Sequence, residues 1–322
     1  MKESLPVFVG IDVSKAELVV ATAGQPASQC IANDNASIAQ WLNTLPANAA
    51  LAMESTGRYH QQVLTLALAA GLRAYVLNAR DVYFYAKGLG SRAKTDALDA
   101  QVIARYLAEH HASLHPWQAP PAVIEQVQRL LGQRSVVATK RAALRECLQG
   151  EHTAPAALAE PLQALEDAFA DLLRGMERRI TQLLETAPEL SQRRALLQSI
   201  VGVGPQTSAL LVGLLARLPF ASADALVAYS GLDPRASDSG KSRGRRRLSK
   251  RGPPLIRRQM FLAAMSASHT KTFKGMYQKL RDRGLASTEA LVVLARKLLR
   301  IAFAVWKTQM PFDASRFLAN TA

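Results

Sequence analysis

Apolar and polar positions fall into short blocks along the first third of the chain. PVFVGIDV is an apolar run that ends on polar residues. ELVVATAG and SQCIAN follow as two further strand candidates, and the three together predict an antiparallel meander. SIAQWLNTL has helical spacing, ALAMES has the apolar run of a buried strand, and HQQVLTLALAAG reads as a helix closed by Gly71. RAYVLNA is a strand and DALDAQVIARYLAEH a helix. Three hairpin-like strands followed by alternating helices and strands predict a mixed α/β sheet with helices packed on it.

The pattern changes at HPWQAPP, residues 115–121, where three prolines interrupt regular structure. Long helical stretches follow. Leu162, Leu165, Phe169, Leu172, Met176, Ile180 and Leu183 recur at spacings of three and four, which predicts one face of a helical hairpin or a coiled-coil arm. Pro155 and Pro161 mark its hinge. A third segment starts near Arg193, where SIVGVGPQTSALLVGLL places a Gly-x-Gly turn before a helix. The expected division is 1–115, 116–190 and 191–322, the last two mainly helical. No eighteen uncharged apolar residues run together, so no membrane span is expected, and MKESLPVFVGID has no long apolar signal core.

Composition adds size and compartment. The chain has 322 residues, of which 49% are hydrophobic, enough for two packed domains. It has two cysteines, Cys30 and Cys147, in segments of different character; a reducing cytoplasm is the simplest reading.

Charge changes the picture more. The net charge is +15, yet residues 1–115 hold nine Lys/Arg and nine Asp/Glu. Between Asp238 and Asp282 lie thirteen Lys/Arg and no carboxylate. A basic run is often a solvated face, but one so one-sided points to a polyanion, and nucleic acid fits best. An anionic membrane fits less well, because the run lacks an amphipathic pattern rich in large apolar residues.

The candidate chemistry starts with carboxylates. Asp12 and Glu54 each end a strand candidate, and Asp96 and Asp99 stand three apart at the start of a helical stretch, on one face. Acidic residues are also welcome in a first helical turn for the sake of the helix dipole, and a glutamate at a strand end can be merely polar. As a set, carboxylates from separate elements suit Mg²⁺, which prefers hard oxygen ligands and assists phosphoryl transfer. GIDVS also opens sugar-kinase and actin-like ATPases, but no second glycine-rich phosphate loop follows, and that reading leaves the basic segment unexplained. The six histidines show no zinc spacing with either cysteine, and no Walker loop or Gly-x-Ser-x-Gly elbow is present.

Gly202 and Gly204, in IVGVGP, resemble a helix-hairpin-helix turn that lets backbone N–H groups approach a phosphate; a tight turn between packed helices fits the same residues. Downstream, AYSGLDP leads into SDSGKSRGRRRLSKRG. Lys241, Arg243, Arg245, Arg246, Arg247, Lys250, Arg251, Arg257 and Arg258 are the candidate nucleic-acid contacts. A serine here is ordinarily a turn residue, or else a nucleophile near cations that stabilise phosphate charge; composition does not choose among Ser237, Ser239, Ser242 and Ser249.

GIDVSK, ESTG, KTDALDA, SIVGVGPQTSA, AYSGLDP, Ser239-Gly240, LSKRGPPLIRR and PFDASR, in this order, resemble the bridge-RNA-guided DEDD serine transposases of insertion sequences, the one-ten family, which includes Piv-type DNA invertases. The resemblance spans nearly the whole chain. It implies a RuvC-like, RNase H-type N-terminal domain whose quartet Asp12, Glu54, Asp96 and Asp99 binds Mg²⁺ or Mn²⁺. It implies a coiled-coil region, and a C-terminal transposase domain whose Ser239 attacks DNA and forms a phosphoserine link, with the metal cluster helping from the same or another protomer. The implied partners are double-stranded donor and target DNA, a structured non-coding guide RNA and further copies of the chain in a dimer or tetramer. The implied setting is the bacterial nucleoid. A site-specific invertase, or a RuvC-like nuclease in which Ser239 is a bystander, are the alternatives.

Overall fold

The computed structural model describes residues 6–55, 59–90, 95–148, 156–235 and 247–315. The chain forms two compact units, residues 1–119 and 120–322.

In the first unit, β1 (Phe8–Val13), β2 (Glu17–Thr22) and β3 (Ser28–Ala32) form the antiparallel meander. Next come α1 (Asn35–Leu42), β4 (Ala50–Glu54), α2 (His60–Ala69), β5 (Arg73–Leu77), α3 (Ala79–Gly88) and α4 (Asp96–His110). The sheet order is β3-β2-β1-β4-β5, with β4 and β5 parallel to β1. Strand alternation splits the core into two layers. Val9, Ile11, Leu18 and Val20 pack with Ile38, Trp41, Val63 and Leu64 of α1 and α2. Ala50, Ala52, Tyr75 and Leu77 pack on the other face with Ile103 and Leu107 of α4.

Small residues set how closely α4 approaches. A Cβ on Gly10 would collide with the Ala100 carbonyl and the Ala104 backbone, so the glycine is the seat of the helix. Thr95 caps α4, its hydroxyl accepting from the Leu98 N–H at 3.3 Å. At the far end, the Phe8 ring meets His111 at 4.7 Å. Contacts that climb β1 therefore descend α4, and the helix N-terminus lies over the C-terminal ends of the strands.

One element escapes the hydrophobic pattern. α3 runs Ala-Arg-Asp-Val-Tyr-Phe-Tyr-Ala-Lys-Gly, in which five apolar or aromatic residues in a row hide the helical period. Its start is set by Asn78, whose side chain accepts from the Arg80 N–H at 3.0 Å.

Among the described residues, the regular structure of the second unit is helical apart from one short ladder. Its elements are α5 (Ala122–Leu148), α6 (Ala159–Glu185), α7 (Pro188–Gln198), α8 (Pro205–Arg217), α9 (Ala223–Ser230), β6 (Pro234–Arg235), β7 (Arg247–Leu248), α10 (Pro254–Ser268), α11 (Lys271–Asp282) and α12 (Ser287–Thr308). The middle of α8, Thr207–Leu215, is buried on every side, as expected of a helix apolar all round. Around it pack apolar residues of α5, α7, α10 and α12, including Ile124, Leu197, Met260 and Leu298.

α5 and α6 pack against each other as two 27-residue helices. The expected stripe on α6 is only partly the buried one. Leu173, Ile180, Leu183 and Leu184 are buried, whereas Leu165 and Leu172 are 42% and 49% exposed. Pro161 is not a hinge but part of the first turn of α6, where a missing N–H costs no hydrogen bond. Arg141 and Arg145 of α5 converge on one oxygen of Glu166, at 2.9 and 2.7 Å. Among the described residues no helix is long and apolar enough to cross a membrane.

Candidate functional site

The parallel register pairs Ile11 with Met53 and Glu54 with Leu77. Asp12 and Glu54 are the next residues along β1 and β4, at the same end of the sheet. Alternation puts Asp12 on the face of Gly10, and Glu54 on the face of Ala50 and Ala52, the side that α4 covers. On α4, Ala100, Ile103, Ala104 and Leu107 are the buried stripe. Asp96 and Asp99 continue that stripe by one turn towards the helix N-terminus. The fold thus brings all four carboxylates to one end and one face of the sheet. Asp12, Glu54 and Asp99 are half-buried and Asp96 is exposed.

The donor set suits a hard cation: four carboxylates and a helix start, on rigid elements. The side chains are not drawn together around a point, however. Among the described residues, no three His, Cys, Asp or Glu side chains stand close enough to share an ion. Close by, the exposed Cys30 thiol donates to Glu17 Oε2 at 3.0 Å, and that bond, with some burial and the charges of Glu17 and Asp96, pushes the thiol up. Cys30 is thereby disfavoured as a thiolate ligand.

In the second unit, the turn between α7 and α8 contains both expected glycines, but they do different things. Gly202 has φ +92°, and a Cβ there would collide with Ala267 and the Ala263 carbonyl of α10. Its bare Cα serves close helix packing, as the tight-turn alternative expects. Gly204 has open space beside it and caps α8, with Pro205 at the first helical position. A groove of about 560 Å³ lies along this turn, lined by Ser199, Gly204, Thr207, Gln259, Leu262 and Ser266 among others.

The basic segment rises from the β6–β7 ladder, where Pro234 pairs with Leu248 and Arg235 with Arg247. Ser237, Ser239, Lys241, Ser242, Arg243, Arg245 and Arg246 lie outside the described residues. Ser249 is described: it is 3% exposed, its hydroxyl donates to the Asp233 carboxylate, and its N–H donates to the Asp233 carbonyl at 3.0 Å. Such a serine is a structural tie, not an open nucleophile.

Two expected nucleic-acid contacts are engaged by the protein itself, Arg257 half-buried and Arg258 exposed. Arg257 donates to the Gly252 carbonyl and to the Ser230 carbonyl at 3.3 Å. Arg258 donates to the Thr139 hydroxyl and to Ser135 Oγ at 3.2 Å, tying α10 to α5. Arg247, Lys250 and Arg251 are exposed. Residue typing alone missed the Asp233–Ser249–Arg257 set, because its partners are mostly backbone groups. The one readable signal was the close approach of Gly231 and Gly252, where a Cβ on Gly252 would collide with the Tyr229 carbonyl.

Two family models match the chain. A DEDD transposase model covers residues 9–151, and the model described as the transposase IS116/IS110/IS902 family covers residues 194–278. A "Pilin gene-inverting protein" of Moraxella bovis is 30% identical over 271 residues, 82% of this chain and 81% of that protein. The chain belongs to the IS110 transposase family. The family resemblance is not confined to one domain: an "Insertion element IS900 uncharacterized 42 kDa protein" of Mycobacterium paratuberculosis is 24% identical over 93% of this chain and 95% of its own. The first IS110 family model contains Asp12, Glu54, Asp96 and Asp99; the second contains the α7–α8 turn and eleven of the thirteen Lys/Arg of the basic run.

Proposed function

We propose that this IS110-family protein is a transposase of an insertion sequence that cuts and rejoins DNA through a covalent phosphoserine at Ser239, with Mg²⁺ or Mn²⁺ held by Asp12, Glu54, Asp96 and Asp99. The observation that carries this reading is the convergence of the four carboxylates at one end of one sheet face. The sheet order β3-β2-β1-β4-β5, antiparallel then parallel, supports a RuvC-like, RNase H-type domain for the first unit.

In this reading the Ser239 hydroxyl loses its proton, and its oxygen forms a bond to a DNA phosphorus. The bond from that phosphorus to the leaving sugar oxygen breaks, and the sugar oxygen takes up a proton. The reverse attack by a sugar hydroxyl on the phosphoserine rejoins a strand and frees the serine. The bound cation would supply charge stabilisation for the phosphoryl transition state. Arg247, Lys250 and Arg251 neutralise neighbouring phosphates, while Asp233, Ser249 and Arg257 hold the base of the basic segment. A structured guide RNA and further copies of the chain complete the assembly; the excess of positive charge in the second unit supports a polyanionic partner.

Denaturing gels with labelled donor DNA test the mechanism. A protein–DNA adduct that vanishes in Ser239→Ala is the expected result, and adduct-free cutting and rejoining by Ser239→Ala would sink it in favour of a metal-dependent nuclease. The likeness to the pilin gene-inverting proteins favours site-specific inversion as the second reading. A substrate with the two sites in inverted orientation on one molecule separates them: inversion without insertion elsewhere identifies an invertase.

A further inference from the structure

The outer face of α3 has chemistry that neither the carboxylates nor the basic segment uses. Arg80, Tyr83, Phe84 and Lys87 follow one another at i, i+3, i+4 and i+7, and so share one side of the helix. Tyr83 and Phe84 are 52% and 51% exposed. Their rings stand edge to face at 5.4 Å and 71°. The Arg80 guanidinium lies over Phe84 at 5.5 Å, and the Lys87 ammonium over Tyr83 at 4.7 Å.

The opposite side of α3 is fixed. Val82 is buried, and Tyr85 donates to Glu109 Oε2 at 2.6 Å while its ring meets Tyr106 and His110 edge-on. Burial and the bond to Glu109 push the Tyr85 phenol up to about 12, so it stays a donor. The helix is therefore held from behind with its aromatic pair outward, and it cannot roll to bury them. Exposing two large rings forgoes about 25 cal/mol per Å² of apolar surface, which an occupant would recover.

The flanking cations identify that occupant. A ring pair between two positive groups suits a ligand that alternates flat π-faces with negative charges, which is a nucleic-acid strand with its bases unpaired. α3 begins at Ala79, two residues after Leu77, the residue paired with Glu54. The rings follow about 8 Å further along the helix axis. Tyr85, next to them, meets Tyr106, Glu109 and His110, so the rings stand beside the C-terminal half of α4, in the same unit as the carboxylates but towards the other end of that helix.

We propose that Arg80, Tyr83, Phe84 and Lys87 form a stacking platform for unpaired bases of single-stranded DNA. Its choice of DNA over RNA rests on the proposed action of the carboxylates on DNA; the platform itself does not. A strand opened for cutting exposes such bases, and stacking holds them without reading their sequence.

The test uses the full-length protein, chelator and a single-stranded oligodeoxynucleotide containing 2-aminopurine. Stacking on the wild-type protein quenches the probe. Tyr83→Ala with Phe84→Ala removes the quench and weakens single-strand binding by about tenfold or more per ring, with duplex binding changed by less than about threefold. Tyr83→Trp with Phe84→Trp keeps both and guards against a folding artefact. Unchanged single-strand affinity overturns the proposal, as does an equal loss on duplex. An equal or larger loss on the matching oligoribonucleotide overturns the choice of DNA. A shift in oligomeric state by light scattering, with no change in quench, reassigns the face to contact between copies. Chelator silences the metal-assisted chemistry, so failure of that chemistry and failure of the platform give separate results.

Discussion

A methyl group on Gly10 has no space to occupy. It would meet the Ala100 carbonyl and the backbone of Ala104, which cannot swing aside as a side chain can. Gly10→Ala is expected to destabilise the protein by about 1–3 kcal/mol or more, read as a lowered melting temperature. It also lifts the start of α4, and with it Asp96 and Asp99, so recombination falls more than the stability loss explains. Asp12→Asn keeps the side chain's size and removes a proposed metal ligand, so recombination is expected to be lost while the melting temperature without metal stays nearly unchanged. A variant that both melts early and keeps activity would sink the metal-site reading. At this scale the sequence was informative where chemistry is carried by residue type: four acids at element ends were visible at once. It was uninformative where a contact crosses the chain. Gly202 looks the same whether it faces a phosphate or Ala267, and only the path of α10 decides. Arg257 and Arg258 look like free cations until Gly252 and Thr139 are brought to them.

Elements explain what else could not be read. The α6 stripe was picked from spacing alone, and Leu165 and Leu172 satisfy it as well as Ile180 and Leu183 do. Burial follows the neighbours instead, and these cover mainly the C-terminal half of the helix. α3 went unnoticed because Val82-Tyr83-Phe84-Tyr85 has no period, being buried on one side and aromatic on the other. The strands and α4 were legible because both of their faces obey simple rules. The α5–α6 pair yields a pH prediction. Burial alone would raise the Glu166 carboxyl, but the hydrogen bonds and charges of Arg141 and Arg145 outweigh it and hold it below its ordinary value. A carboxyl lowered on folding stabilises above its unfolded pKa, about 4.3, and that contribution is lost as the pH falls through the folded value. Glu166→Gln is therefore expected to lower the melting temperature near neutral pH and to flatten its fall in acid. Parallel curves for the two proteins would show that the pair contributes nothing.

At the scale of the whole molecule, charge is the governing quantity. The excess of +15 falls outside the first 115 residues, so DNA affinity is expected to drop steeply with salt. Replacing the exposed Arg247, Lys250 and Arg251 with glutamine should reduce the slope of log affinity against log salt by about two to three. Replacing Arg257 should leave the slope nearly unchanged and cost thermal stability instead, because its guanidinium is spent on the Ser230 and Gly252 carbonyls. Equal slope changes for both sets would contradict the division between outward and inward cations. Membership of the IS110 family fits a molecule whose two matched regions carry, one the acids, the other the positive charge.

The same guanidinium joins two points twenty-two residues apart along the chain, residues 230 and 252. Lys250 N–H donates to the Gly231 carbonyl, and Ser249 closes on Asp233. Everything between is thus fastened to itself at its root, like a jewel in a setting that belongs to the ring. A setting of this kind is interchangeable. Swapping the inserted segment, residues 236–246, for that of a relative should leave the melting temperature of the host intact.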